Sequence, residues 1–513
     1  MSTAPRTSTD VLVVGAGPTG TALAIDLIRR GVDVRVIDKE PHAFEGSRAK
    51  GVQPRTLEVF DDLGVIADIL DQGSVYPKMG IHIGPLTIPW RMIAVGKRGA
   101  DTPYPDTWLI PQNRTTHILH ERLRALGGDV ELGTEFSGLS IAPGGVTAEL
   151  VTDSGPEMAT ARYVVGADGG SSRVRKAAGI DFGGSTDEAD RMLVIDAAVT
   201  GGLSRTYWHV WPGIGGRFVG ACPLPHSELF QWMIRLAPGE EPPVDEDAIT
   251  AHVRERTRNN NLRLHSIAWK SLFRPNIRLA EIYRRGPVIL AGDAAHVHTP
   301  AGAQGLNTGI GDAYNLGWKL GQVLAGADER LLDTYEGERQ PIAAGVLGLS
   351  TKKYEGLSTL DPSSIRRGKD EKQLTLTYRG GPVAPATSDA TATLHVGDRA
   401  PDAELCTTNG DPIRLFDIFR GPHFTAIAHG TEAAVAAGRL DWPRRGAHLR
   451  RIVIGTATTG AADTLRDTAG GFGRSYGLTT DTLLLIRPDG YIGHIATHDL
   501  LDSTQRVIAA LTP

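Results

Sequence analysis

The chain has two cysteines, Cys222 and Cys406, far apart and in no C-x-x-C or metal-ligand spacing. A disulfide scaffold and a structural zinc site are excluded as organising devices. Long apolar runs are missing as well, and no stretch approaches the roughly 20 residues a membrane-spanning helix needs. Charge of one sign is scarce: 54 Lys and Arg against 59 Asp and Glu leave -5 at pH 7. That balance makes no field for nucleic acid or an anionic membrane. The first ten residues are polar and lack the apolar core of a secretory signal, so a reducing cytoplasm is the expected compartment. What is present is ordinary globular composition, with 41% hydrophobic residues and length for about three domain-sized units.

The chain is organised around Asp10-Val-Leu-Val-Val-Gly-Ala-Gly-Pro-Thr-Gly20. Val11 to Val14 are four apolar, mostly β-branched residues, which predicts a buried parallel strand. Gly15, Gly17 and Gly20 follow in G-x-G-x-x-G spacing; Ala22 to Ile28 carry a helical apolar face, and Gly31 is a stop. A second strand from Val34 ends at Asp38. Gly15 turns the chain, Gly17 lets a pyrophosphate reach bare backbone, and Gly20 lets helix and strand pack closely. The helix N-terminus offers partial positive charge to phosphate, and Asp38 can accept a ribose hydroxyl. Strand, glycine loop, helix and acid together predict dinucleotide binding over a purely structural loop.

Further on, Arg48, Lys50 and Arg55 precede a helix read from Thr56. Beside a pyrophosphate site Arg48 can face the anion; a solvated turn is the alternative. Val130 to Leu150 reads as a β-meander, and Tyr163 to Asp168 as another buried strand delivering an acid. From Arg191 to Ser271 period-2 alternation dominates. Tyr207, His209 and Trp211 share one face there and Trp208 the other; with Phe218, Trp232 and Met233 they form either packed core or ligand platform. Val288 to Asp293 is a third acid-delivering strand, and a Pro- and Gly-rich loop leads on into a helix. Ser350 to Ala390 is polar and irregular, a connector, and a new unit starts near Val396.

Three motifs stand in this order: Gly15-Ala-Gly-Pro-Thr-Gly20; Gly166-Ala-Asp-Gly-Gly-Ser-Ser-Arg173; and Ala291-Gly-Asp-Ala-Ala-His296 with Pro300-Ala-Gly-Ala-Gln-Gly-Leu-Asn307. Together they resemble the single-component FAD-dependent aromatic hydroxylases (group A flavoprotein monooxygenases). The likeness is greatest to the phenol hydroxylase and aromatic-polyketide hydroxylase branch, and it covers essentially the whole chain. It implies an α/β fold with a Rossmann-like FAD domain (1–75, 106–185 and 276–350) interleaved with an antiparallel β-sheet substrate domain (76–105 and 186–275). A connector (351–394) and a C-terminal thioredoxin-like α/β domain (395–513) would follow. In that family the loop Gly15, Gly17, Pro18, Thr19 and Gly20 would cradle the FAD pyrophosphate. Asp38, followed in the cofactor set by Lys39, would hold the adenosine ribose. Arg48 and Gln112 would reach the pyrophosphate and ribityl region. Asp168 would serve both FAD and the transient nicotinamide donor, and Asp293 the ribityl chain. Pro300, Gly305, Leu306 and Asn307 would line the flavin ring, with Ala303 where the pattern often has glycine. The ancestral C-x-x-C of the last domain is absent, which implies packing or dimer contacts there and no redox work.

The implied chemistry is hydroxylation of a phenolic or polycyclic aromatic substrate. NADPH or NADH reduces FAD, O2 adds to give a C4a-hydroperoxide, and the distal oxygen passes to an electron-rich ring carbon. The protein's share is to exclude water and orient the ring. A base or positive field at the substrate hydroxyl would help; the sequence offers only His209, for which a hydrogen-bonded core histidine is the plainer reading. His296-x-His298 lacks further ligands, so no metal is expected. Baeyer–Villiger or epoxidising chemistry on the same flavin is one alternative, and a non-catalytic flavin-binding protein is another. The expected partner is a small aromatic molecule, with no nucleic acid or membrane, and a homodimer is possible in principle.

Overall fold

Four apolar residues with both faces covered make the first strand a central one. In the computed structural model, Ser8–Val14 pairs in parallel with Val34–Ile37 on one side and Gly155–Gly166 on the other. The structure describes residues 8–92, 96, 99, 101–299, 303–358, 368, 370–385, 393–455, 463–478 and 480–513. Val130–Glu131 and Val288–Leu290 extend the parallel sheet at its two sides. The meander expected from Val130 therefore starts later, with Glu135–Ala142, Gly145–Thr152 and Gly155–Gly166 pairing antiparallel. Val130 and Glu131 are claimed instead by the open edge of Val34–Ile37, which needs backbone partners. Helices Pro18–Arg29 and Gly305–Ala325 pack on this sheet and on each other. They approach closely because glycine stands at the contact: a Cβ on Gly317 would lie 2.3 Å from Asp26 Oδ2.

A second sheet has the order Arg263–Phe273, Met192–Thr200, Phe230–Arg235, Val219–Pro223, Tyr207–Trp211, Lys78–Ile83, Leu86–Trp90. Its pairings are antiparallel except Tyr207–Trp211 with Lys78–Ile83, which is parallel. The expectation of a wholly antiparallel sheet is corrected at that junction, where strands from two separate chain segments meet. Helix Glu246–Thr257 covers one face, burying Ile249 and Val253 against Trp211, Phe230 and Trp232.

The last sheet combines parallel Phe424–His429, Leu449–Ile454 and Asp463–Arg466 with antiparallel Thr482–Ile486 and Ile492–Ala496 on one side. Glu404–Thr407 and Pro412–Arg414 complete the other side. The fold is thus mixed α/β with several sheets. Residues 370–385, read from sequence as part of a polar, irregular connector, are packed in: Gln373 and Tyr378 are buried, and Tyr378 Oη accepts from Arg339 at 3.1 Å. Their polarity misled because each polar group has a buried partner. No helix of the described residues is long and apolar enough to cross a membrane.

Candidate active site

The glycine loop has the geometry its spacing demands. Gly15 adopts φ +104°, and a Cβ there would lie 2.4 Å from Ala167 O. A Cβ on Gly20 would lie 2.0 Å from Gly15 O, so only glycine lets helix and strand close up. Gly17 differs: an added Cβ would meet nothing within 4 Å. Its α-carbon faces open space at the start of Pro18–Arg29, a helix with no acid in its first turn. Asp38 ends the second strand beside the loop, its Oδ2 accepting from Ala16 N at 2.8 Å. Lys39 is 63% exposed and pairs at 3.4 Å with Glu40. Thr19 has its side chain wedged against Gly292 and Gly309, so its contribution to a ligand is confined to backbone.

The second and third motifs arrive beside this loop. Asp293 lies in the turn Gly292–Ala294, and its Oδ2 stands 3.9 Å from Arg48 Nη2, with the side chains 41% and 63% exposed. Gln112 opens helix Gln112–Ala125 and accepts from Ala49 N at 3.3 Å. The fold thus brings Arg48 and Asp293 together, with Gln112 beside the neighbouring Ala49. Gly305, Leu306 and Asn307 form the first turn of Gly305–Ala325. Asn307 ties that turn down: its Oδ1 accepts from Gln53 N at 2.8 Å, and its Nδ2 donates to Gly51 O at 2.8 Å and Ala303 O at 2.6 Å. Pro300 lies outside the described residues. Asp168 has its carboxylate engaged in capping the next helix, accepting from Ser172 Oγ at 2.6 Å and Arg173 N at 2.7 Å.

In the sequence His298 stands only as half of a metal pair, His296-x-His298. Its Nδ1 hydrogen bonds Thr299 O at 2.9 Å, which leaves Nε2 as an acceptor. That atom is buried and without a partner among the described residues. A Cβ on Gly305 would sit 3.4 Å from it and 3.9 Å from Asp293 Oδ1, so the orphaned acceptor borders the same cleft. Burial lowers the pKa of His298 and keeps it neutral. His296 turns the other way, to Asp312 at 2.6 Å in full burial. Among the described residues no group of three His, Cys, Asp or Glu could hold a metal.

The substrate sheet requires corrections. His209, Trp211 and Trp232 face helix Glu246–Thr257, not the cleft: Trp211 stacks on Trp232 at 6.4 Å within that core. His209 is a core histidine, bonded to His82 Nε2 at 2.8 Å and Ser204 O at 2.7 Å. Tyr207 shares its face, edge-on at 6.1 Å. Phe218 stands in the turn entering Val219–Pro223. Met233 lies on the cleft side, with Trp208, both near Gly220. Alternation gave the parity of these residues; the covering helix decides which parity is inside.

Sequence reasoning missed the groups on the cleft face. Ser47, Lys50, Asp196 and Gln231 are all buried there. Ser47 Oγ donates to Asp196 Oδ1 at 2.5 Å and accepts from Gln231 Nε2 at 2.6 Å. Lys50 Nζ donates to Gln231 Oε1 and lies 5.0 Å from the Trp208 ring centre. The signal available was Lys50 itself, a cation two residues from Arg48, whose partner Gln231 lies 181 residues away.

Donors and cradle together fit a flavin dinucleotide: open backbone at Gly17, a cation and an acid across a cleft, and an unsatisfied neutral acceptor beside them. The FAD binding domain family model matches residues 8–350. A flavin-dependent monooxygenase of Mycobacteroides abscessus is 42% identical over 94% of this chain and 96% of its own length. A 12-dehydrotetracycline 5-monooxygenase/anhydrotetracycline 6-monooxygenase of Streptomyces rimosus is 33% identical over 94% of each chain. The solved structure of the anhydrotetracycline hydroxylase OxyS from Streptomyces rimosus superposes with a TM-score of 0.76, at 30% identity over 99% of each chain. By these matches and this cleft, the chain belongs to the FAD binding domain family and is a member of its flavin-dependent aromatic monooxygenases.

Proposed function

We propose that this protein is an NAD(P)H-dependent hydroxylase of a phenolic, polycyclic aromatic substrate. The observation that carries the reading is the cleft where Arg48 and Asp293 face each other between the glycine loop and the first turn of Gly305–Ala325. Trp208 and Met233, both beside Gly220, would form the opposite wall. Bound there, FAD would supply two-electron reduction by NADPH or NADH and activation of O2 for transfer of one oxygen atom.

The residues divide the remaining work. Gly15, Gly17 and Gly20 with the helix dipole would hold the pyrophosphate, and Asp38 the adenosine ribose. Arg48 and Gln112 would meet the pyrophosphate and ribityl region, and Asp293 with neutral His298 the ribityl hydroxyls. Asn307 fixes the turn whose backbone amides would address the ring's polar edge. Asp168 would act by holding its helix start beside the donor's approach. The apolar Trp208 and Met233 wall would exclude water and orient the substrate.

The parallel-sheet segments (1–75, 106–185 and 276–350) are assigned to a Rossmann-like FAD domain. Residues 76–105 and 186–275 are assigned to a substrate domain, and 395–513 to a thioredoxin-like domain without redox function. The tetracycline compounds named for these relatives favour a polycyclic over a monocyclic ring. The test is NADPH consumption by the purified yellow protein across phenols and hydroxylated polycyclic quinones, with mass detection. Substrate-stimulated consumption with a one-oxygen gain supports the reading. Insertion of oxygen into a ring C–C bond would replace it by Baeyer–Villiger chemistry, and a flavoprotein inert to every donor would reduce it to a binder.

A further inference from the structure

The chain holds a buried amine whose charge is not compensated. Lys50 is 9% exposed, and the acceptor of its Nζ among the described residues is a neutral amide, Gln231 Oε1. An ammonium has three donors to satisfy. The acid in its neighbourhood, Asp196, is taken up by Ser47, whose hydroxyl and amide bind its two oxygens at 2.5 and 2.7 Å. The other titratable group beside it is Cys222, whose thiol burial pushes up to about 11, so it contributes no thiolate near neutrality. Burial lowers the Lys50 pKa, against weaker opposing fields from Cys222 and Asp196.

Its location is the seam between the two halves of the cleft. The preceding Ala49 amide bonds Gln112, and the following Gly51 carbonyl accepts from Asn307. A Cβ on Gly51 would lie 2.8 Å from Ala303 Cβ and 2.7 Å from Tyr76 Oη. The amine itself sits by the ring of Trp208, whose indole N–H is buried without an acceptor among the described residues. An aromatic face, an unpaired N–H donor and a buried amine held by a neutral amide thus meet at one wall.

We propose, resting on the hydroxylase reading above, that Lys50 takes the proton of the substrate's phenolic hydroxyl, with Gln231, Ser47 and Asp196 as positioning residues. The substrate O–H bond breaks, its proton joins the Nζ lone pair, and its electron pair stays on oxygen as phenolate. No electrons leave the pair of groups, and the net charge of the pocket is unchanged. The phenolate raises electron density on the ring carbons that receive oxygen, and the new ammonium holds the phenolate in a site of low dielectric.

The test uses the FAD-loaded enzyme and the chromogenic probe alizarin, a dihydroxyanthraquinone whose phenol and phenolate differ in colour. Bound alizarin in the unaltered protein is expected to ionise about tenfold or more readily than free alizarin, one pKa unit or beyond. Lys50→Met should abolish that shift while retaining FAD and the flavin spectrum. Lys50→Arg, a cation that cannot accept a proton, should keep the bound phenolate yet remove the proton-uptake step from the pH profile of kcat. A Lys50→Met protein that holds FAD and ionises alizarin like the parent overturns the assignment. So does a flavin-loaded parent in which alizarin stays a phenol or fails to bind. A parent purified without flavin, and unable to take it up, fails the hydroxylase reading instead, which separates the two.

Discussion

His82 donates from Nε2 to Nδ1 of His209 across 2.8 Å. The direction follows from the far ends. His209 Nε2 faces Ser204 O at 2.7 Å and must carry a hydrogen, while His82 Nδ1 meets Thr87 Oγ1 at 3.2 Å. Burial favours the neutral form of both rings, which stack with Trp211, 4.4 Å from His82. Burial and the neighbouring ring depress His82 to about 4.

The sign of the pH effect follows from that depression. The folded pKa lies below the ordinary value of 6.5, so unfolded chain binds the extra proton first. The pair's stabilisation is complete above pH 6.5 and is lost as pH falls towards 4. Melting temperature measured against pH should fall less steeply over that window in His82→Asn than in the parent.

Gly15 and Gly17 should separate folding from cofactor retention. Gly15→Ala strains a left-handed position against Ala167 and should destabilise the protein by about 1–3 kcal/mol in urea unfolding. Gly17→Ala adds a methyl to open space and should change apoprotein stability by no more than about 0.5 kcal/mol. It should nonetheless lower the flavin-to-protein absorbance ratio sharply, because the methyl occupies the pyrophosphate's approach.

Asp293→Ala should yield largely colourless protein. A charge-assisted hydrogen bond lost to a ribityl hydroxyl costs about 1.5–3 kcal/mol, roughly tenfold or more in affinity. Stoichiometric FAD after gel filtration would remove Asp293 from the site, and unchanged flavin affinity in Arg48→Ala would remove Arg48.

The joint to the last sheet should be sensitive to single changes. Arg487 binds Glu338 and Asp489, and Lys319 shares Glu338, all within full burial. Burial opposes the Glu338 charge, yet Arg487 and Lys319 hold its carboxyl well below the usual range; burial brings Lys319 down to about 8. Arg487→Met leaves acidic groups short of a partner and should cost about 3–5 kcal/mol in denaturant unfolding. Dissection of the ion network by a double change with Glu338→Leu should recover part of that loss.

The parallel sheet and the geometry of the glycine loop were legible because each rests on local rules: apolar runs ending in Asp38, Asp168 and Asp293, and glycines where a side chain collides. The substrate wall was not. Tyr207 to Trp211 announces two faces but not which one helix Glu246–Thr257 will cover, and that helix lies beyond two further strands. The cations Arg48, Lys50 and Arg55 look alike in sequence and diverge in space. Arg48 faces Asp293, Lys50 enters the substrate sheet, and Arg55 is buried with Glu58 and Asp489 O. The partners Asp293, Gln231 and Asp489 lie far along the chain, beyond the reach of periodicity.

The helix Gly305–Ala325 has two employers. Its first turn is pinned by Asn307 at the cleft, while farther along Trp318 donates to Asp489 at 3.1 Å and Gln322 to Leu511 O at 3.2 Å. The C-terminal sheet is therefore a splint for the rod whose tip borders the candidate site, and exchanging it between homologues calls for transplanting its matching helix flank too.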